Sequence, residues 1–238
     1  MPLRKAKGNM YGFVSHIWNP VKGRCGHDCS YCYVKRIAKR FGKKQHDLII
    51  DMEGLNANLG SENYIFVCST CDLFFSSGDL KRHHLEILNI TIGKMLERAK
   101  LFPGNKYLWH TKNPARALEF QSLFGDNDML CVTVETNRWQ HDTPITKAPH
   151  PAKRFNALHE WKKPWMLTIE PVMDFDLKDF IALIGATGNM PIQVNIGADS
   201  GRNSLPEPSP EKLRALIDWL EPRAKVHPKK NLGRLLPR

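Results

Sequence analysis

Six short apolar runs, separated by helix-like stretches, constrain the fold of this 238-residue chain more than any other feature. They are Tyr11–Trp18, Asn63–Thr70, Lys106–Lys112, Met129–Asn137, Trp165–Val172 and Pro191–Asp199. All are rich in β-branched, aromatic or other apolar residues, and most run into polar or turn-forming ones, which reads as strands. Helix candidates lie at Tyr31–Phe41, Asp79–Lys100, Pro114–Phe124, His150–Glu160, Asp174–Ile184 and Pro210–Leu220. Ser209 stands as an N-cap ahead of Pro210 at the first helical position of the last one, a favoured pairing. Strands alternating with helices imply right-handed crossovers and a parallel sheet. The length suits one α/β domain over residues 1–238, and the six units predict a partial (β/α)6 barrel. Gln45–Gly60 fits neither pattern and reads as an excursion, and residues 225–238 form a basic C-terminal segment.

The loop after the first run is Cys25-Gly26-His27-Asp28-Cys29-Ser30-Tyr31-Cys32, with thiols spaced C-x3-C-x2-C. Closed zinc sites and fully cysteine-ligated iron–sulfur clusters each take four protein ligands. No fourth cysteine follows within thirty residues, so the trio points to a cubane cluster with one iron left open. The alternatives are three free thiols, or a partial zinc site that borrows His27. Six cysteines with a clustered trio suit metal binding in a reducing cytosol better than a disulfide framework.

Side chains alternate faces along a strand. Cys131, Thr133 and Glu135 share one face, as do Thr168 and Glu170, and Gln193 and Asn195, each opposite an apolar face. Polar groups therefore fall on the barrel interior, where buried ones need partners. Active sites of (β/α) barrels lie at the C-terminal strand ends. Those ends carry Ser69, Thr70 and Asp72, then Lys112 and Asn113, Glu135 and Asn137, Glu170, and Asn195 and Asp199.

Composition enters through charge. A net charge of +11 favours an anionic partner, nucleic acid first. Lys35, Arg36, Lys39 and Arg40 follow the cysteine loop directly and are the candidate nucleic-acid contacts, with Lys43 and Lys44 extending the run. Lys229 and Lys230 join them if the tail folds back. No apolar run is long enough to span a membrane, and the basic N-terminus lacks an apolar segment after it, so a cytoplasmic protein is expected.

Cys68-x2-Cys71, then His83 and His84, imitates three-quarters of a C2H2 zinc finger. The second histidine belongs three to five residues beyond the first, and after His84 the next is His110. Two reduced cysteines at a strand end are the preferred reading.

The cysteine loop, with Tyr31 before the last thiol, resembles the signature of the radical S-adenosylmethionine (SAM) superfamily. Further motifs resemble a radical-SAM-like family of unassigned function named after phage proteins, nearly end to end. They are His16-Ile17-Trp18-Asn19-Pro20, Glu135-Thr136-Asn137-Arg138, Thr168-Ile169-Glu170-Pro171, Asn195 to Gly201, and Lys229-Lys230-Asn231-Leu232-Gly233. More distantly, the loop is similar to that of spore photoproduct lyases, radical SAM enzymes of DNA repair. The resemblance implies a barrel of radical SAM type and a [4Fe–4S] cluster ligated by Cys25, Cys29 and Cys32. It also implies SAM on the open iron, cleaved reductively to a 5′-deoxyadenosyl radical, with Tyr31 against the adenine. One departure stands out: Ser69-Thr70-Cys71-Asp72 occupies the place of the Gly-Gly-Glu that holds the methionyl amine.

The sequence thus reads as a radical SAM enzyme acting on nucleic acid, in modification or lesion repair, and fed by a low-potential donor such as ferredoxin or flavodoxin. Tyr31, Ser69, Thr70, Glu135, Asn137, Glu170 and Asn195 are its candidate cofactor contacts. A small metabolite or peptide is the alternative substrate. A non-catalytic nucleic-acid-binding module with a structural metal is the alternative of another class.

Overall fold

The computed structural model describes residues 3–43, 47–75, 82–138 and 145–236. Strands β1 (Leu3–Lys5), β2 (His16–Trp18), β5 (Tyr64–Val67), β6 (Lys106–Thr111), β7 (Asp128–Thr133), β8 (Trp165–Ile169), β9 (Gln193–Ile196) and β10 (Lys225–Pro228) form one sheet in that order. β3 (Val21–Lys22) and β4 (Ile49–Ile50) make a separate antiparallel ribbon. Within the large sheet only β1 runs antiparallel, against β2. The helices are α1 (Tyr33–Arg40), α2 (Met52–Leu55), α3 (Arg82–Lys100), α4 (Pro114–Leu118), α5 (Pro151–Leu158), α6 (Leu177–Gly185) and α7 (Pro210–Leu220). This is the expected mostly parallel α/β architecture of an open barrel.

Burial explains the order. Every residue of β8 and β9 is buried, as strands covered on both faces must be. Val132, Leu167 and Val194 stand side by side in register and pack outward under the helices, in the main core. The inner face carries its own small core, in which Phe66, Leu108, Cys131 and Met166 meet Tyr11 and Val14. The sheet is curled: the Phe13 ring lies 4.9 Å from Tyr64 of β5 and 6.4 Å from His227 of β10, near opposite edges.

Several expectations change. The Tyr11–Trp18 run is a strand only at its end, because Tyr11 and Val14 turn inward to fill the barrel. β10 adds a seventh parallel strand where a basic tail was expected; its KVHP sequence is too short and polar to stand out. Within Gln45–Gly60, β4 and α2 form, and Asp51 caps α2 by accepting from the Gly54 amide at 2.8 Å. α4 stops at Leu118, followed by a 3-10 turn at Gln121–Leu123. Ser209 caps α7 as expected, accepting from the Lys212 amide. The expected start of α3 at Asp79, and Lys44 and Gln45, lie outside the described residues.

Candidate active site

A cavity of about 580 Å³ opens at the C-terminal ends of the strands, within the 300–1,000 Å³ usual for ligand sites. The cysteine loop forms one wall, and Cys25, Cys29 and Cys32 all line it. The loop is fixed by its backbone. The Ser30 amide donates to the Ile145 carbonyl at 2.8 Å, and the Lys147 amide to the His27 carbonyl at 2.7 Å. Gly26 is required there, because a Cβ would run into the Phe75 ring. Cys32 is the N-cap residue of α1, so the third thiol sits where loop becomes helix.

Asp72 ties the loop to the strand ends. It accepts from His27 Nε2 at 2.8 Å, the Lys112 amide at 2.7 Å and Thr111 Oγ1 at 3.1 Å. Burial alone would raise its pKa; His27 and these donors bring it below the ordinary carboxyl value.

The thiols themselves are engaged by protein. Cys25 is hydrogen-bonded to Cys71, which lowers the Cys25 pKa and raises that of Cys71. Cys29 Sγ lies 3.2 Å from Thr146 Oγ1, and burial pushes this thiol up. Among the described residues no three His, Cys, Asp or Glu side chains converge in a metal-binding group. The donor set still fits a three-thiolate cluster in chemistry: three sulfurs from one eight-residue loop face one cavity. Cys25 and Cys29 would exchange their present hydrogen bonds for the metal.

Behind Tyr31 lies a buried charge cluster. Glu135, 2% exposed, accepts from Lys112 Nζ at 2.6 Å, Arg154 Nη1 at 2.8 Å and the Tyr31 hydroxyl. Burial would raise its pKa, but Arg154 and Lys112 overcome that and hold it well below the usual carboxylate range. Burial, then Glu135, pushes Tyr31 well up, so Tyr31 stays a phenol that donates. Glu135 and Arg154 also line a second cavity of about 110 Å³. Across the main cavity Lys229 Nζ lies 2.8 Å and 3.0 Å from the two Glu170 oxygens and 4.8 Å from the Tyr11 ring centroid. His110, against Thr133 Oγ1 at 2.8 Å, is driven down to about 3, mainly by burial, and stays neutral.

Of the expected contacts, Tyr31, Ser69, Thr70 and Glu170 line the main cavity. Among the described residues the Thr70 hydroxyl is buried without a partner, as is Asn195 Nδ2 deeper in the barrel. Asn195 shares one inward register row with Thr133, Thr168 and His227. Glu135 turns its carboxylate onto the cations just described. Asn137 is elsewhere: its side chain brackets the Asp176 backbone at 2.9 and 3.0 Å. Lys35 bonds to Asp28 of the cysteine loop, Arg36 is exposed at the cavity rim, and Lys39 and Arg40 point outward from α1. Lys229 does return to the barrel mouth.

Sequence reasoning missed Arg154, His110 and Tyr11. Arg154 interrupts the buried face of α5 beside Phe155 and Leu158, and a charge on an apolar face was its signal. His110 falls on the inward face of its strand, as Thr133 does. Among the described residues Cys68, Cys71, His83 and His84 form no metal-binding group: the two cysteines are buried, and the His83 and His84 rings lie 4.0 Å apart on α3.

No family model matches the chain, and no curated protein sequence does. The finer resemblance to the phage-protein-like family therefore rests on its motifs. Solved structures of spore photoproduct lyase do match in fold. One, complexed with dinucleoside spore photoproduct, aligns with a TM-score of 0.55 at 10% identity, over 80% of this chain and 57% of that one. A doubly substituted variant with bound AdoMet and dinucleoside spore photoproduct aligns at 0.57 and 9%, over 91% and 64%. A further variant aligns at 0.57 and 11%, over the same shares. The chain thus spans about three-fifths of these lyase chains, and its fold is the open α/β barrel they share.

Proposed function

We propose that this protein is a radical SAM enzyme whose substrate is a nucleic acid. The observation that carries the reading is the placement of the C-x3-C-x2-C loop on the wall of the 580 Å³ cavity, at the C-terminal strand ends of an open barrel. Cys25, Cys29 and Cys32 would hold a [4Fe–4S] cluster. Bound together, cluster and SAM would supply a 5′-deoxyadenosyl radical by one-electron reduction, from a low-potential donor of the ferredoxin or flavodoxin kind. The chain's own part is positioning. Asp72 and His27 fix the loop, Glu135 fixes Tyr31, and the unpartnered Thr70 hydroxyl is available to a polar ligand. Ser69 and Thr70 occupy the place of the absent Gly-Gly-Glu, so we assign the methionyl end of SAM to that wall.

The substrate class rests on the net charge of +11 and on the cations at the cavity rim. Two of the lyase structures that share this fold, those aligned at 10% and 9% identity, contain a dinucleoside spore photoproduct. Six free cysteines suit a reducing compartment, and no described helix is long and apolar enough to cross a membrane.

Iron and sulfide analysis of anaerobically reconstituted protein tests the site. About four of each per chain are expected. Cys25→Ala, Cys29→Ala and Cys32→Ala should each lose them, whereas Cys68→Ala, Cys71→Ala and Cys131→Ala keep them. Metal retained in all three trio variants, or lost with Cys68 instead, would place the metal elsewhere.

A further inference from the structure

α1 differs from every other described α-helix in burying no side chain. Its sequence, YVKRIAKR, is nonetheless amphipathic. Tyr33, Ile37 and the C-capping Phe41 recur every four residues, so they share one face. Amphipathic helices ordinarily turn such a face to the core. Here the three are 44%, 48% and 64% exposed. Arg36, Lys39 and Arg40 are exposed beside them, and α1 contains no acidic residue. Among the described residues these three cations form no ion pair, and the Arg40 guanidinium lies 5.8 Å from the Phe41 ring centroid.

We infer that this face is a docking platform for single-stranded nucleic acid, which it leads into the cavity. The inference rests on the nucleic-acid reading above and adds where and how the strand is held. Charge complementarity selects an anion, and exposed rings among cations are the chemistry of unpaired-base stacking. Tyr33 and Phe41 are about 12 Å apart along the helix at 1.5 Å per residue, so each ring can carry its own base. Position selects a strand over an acidic protein. Cys32 caps α1, Arg36 lines the cavity, and the Tyr33 hydroxyl donates to the Ser69 carbonyl on its wall at 2.9 Å. A strand lying on α1 therefore runs straight to the proposed radical site. Paired bases present no free face to the rings, so duplex should bind more weakly.

Fluorescence anisotropy of reconstituted protein, with a labelled 20-nucleotide single strand and its duplex, tests this. Single strand should bind more tightly than duplex. Phe41→Ala should weaken it about five- to 150-fold, the range for losing one stacked base, while leaving iron content, melting temperature and salt slope unchanged. Phe41→Trp should restore it. Changing Arg36, Lys39 and Arg40 together to Ala should flatten the log–log salt slope by about 2, at roughly 0.7 per phosphate on a single strand. Strand binding that Phe41→Ala leaves intact overturns the platform while sparing the nucleic-acid reading. Competition by polyglutamate or by phosphatidylserine vesicles that displaces the strand and depends on Phe41 assigns the face to an acidic protein or a membrane, and also overturns it. No binding to either nucleic acid at low salt removes both this inference and the nucleic-acid reading.

Discussion

Glu135 shows how one side chain can tie three elements of a site together. Three donors occupy its two oxygens, and they come from the cysteine loop, the residue just past β6, and α5. Removing the charge would leave Arg154 and Lys112 buried and uncompensated. Glu135→Gln should therefore destabilise the fold by about 3–5 kcal/mol, the cost of breaking a buried pair, seen as a lower urea midpoint. Acid should act through His110 first. Its pKa is about 3 in the folded protein and about 6.5 when unfolded, so between these values the unfolded chain binds the extra proton. Stability should fall by up to about 1.4 kcal/mol per pH unit from this group as pH drops below 6.5. Glu135 adds to the fall below the unfolded carboxyl value of about 4.3, since its folded pKa is depressed and its stabilisation is lost as pH falls. Comparing thermal unfolding of His110→Gln with the parent from pH 7 to 4.5 isolates the first part. Parallel curves would contradict it. The trio of thiols was legible because three cysteines within eight residues make a local pattern. Glu135 was expected on a strand face and lies two residues past β7, while its partner Arg154 belongs to a helix 19 residues on, and no local pattern links them.

At the scale of elements, Lys229 shows how the last strand completes the cavity. It sits just past β10 and bonds Glu170 and the Asn9 carbonyl, so the segments around Asn9 and Lys229 meet over the barrel. Lys229→Met should lower the melting temperature. The cost should be smaller than the roughly 3–5 kcal/mol of a fully buried pair, because Glu170 is 21% exposed. An unchanged melting temperature would mean the pair adds nothing to closure. Ser209→Ala should cost about 1 kcal/mol through loss of the α7 cap. The central strands and α7 were legible because burial on both faces and a capping serine leave local marks. β10 was not, since KVHP becomes a strand only by pairing with β9. α1 forms where a helix was expected after the cysteine loop, as Tyr33–Arg40, and the fold leaves its apolar stripe in solvent.

Across the whole molecule, the alternation of strands and helices decided the architecture. What it left out was the filling of the barrel. Tyr11 and Val14 close the inner core from a segment that reads like strand, because an aromatic, β-branched run satisfies either role. The polar row of Thr133, Thr168, Asn195 and His227 above that core then faces the same interior as the cysteine loop. An apolar floor beneath polar strand ends suits a reaction from which water must be excluded. Radical SAM chemistry in this cavity would have directly measurable products. Anaerobically reconstituted protein, given SAM and dithionite, should release 5′-deoxyadenosine and methionine, and neither should form with Cys25→Ala, Cys29→Ala or Cys32→Ala. A full cluster that binds SAM yet yields no 5′-deoxyadenosine under reduction, with or without nucleic acid, would contradict the account.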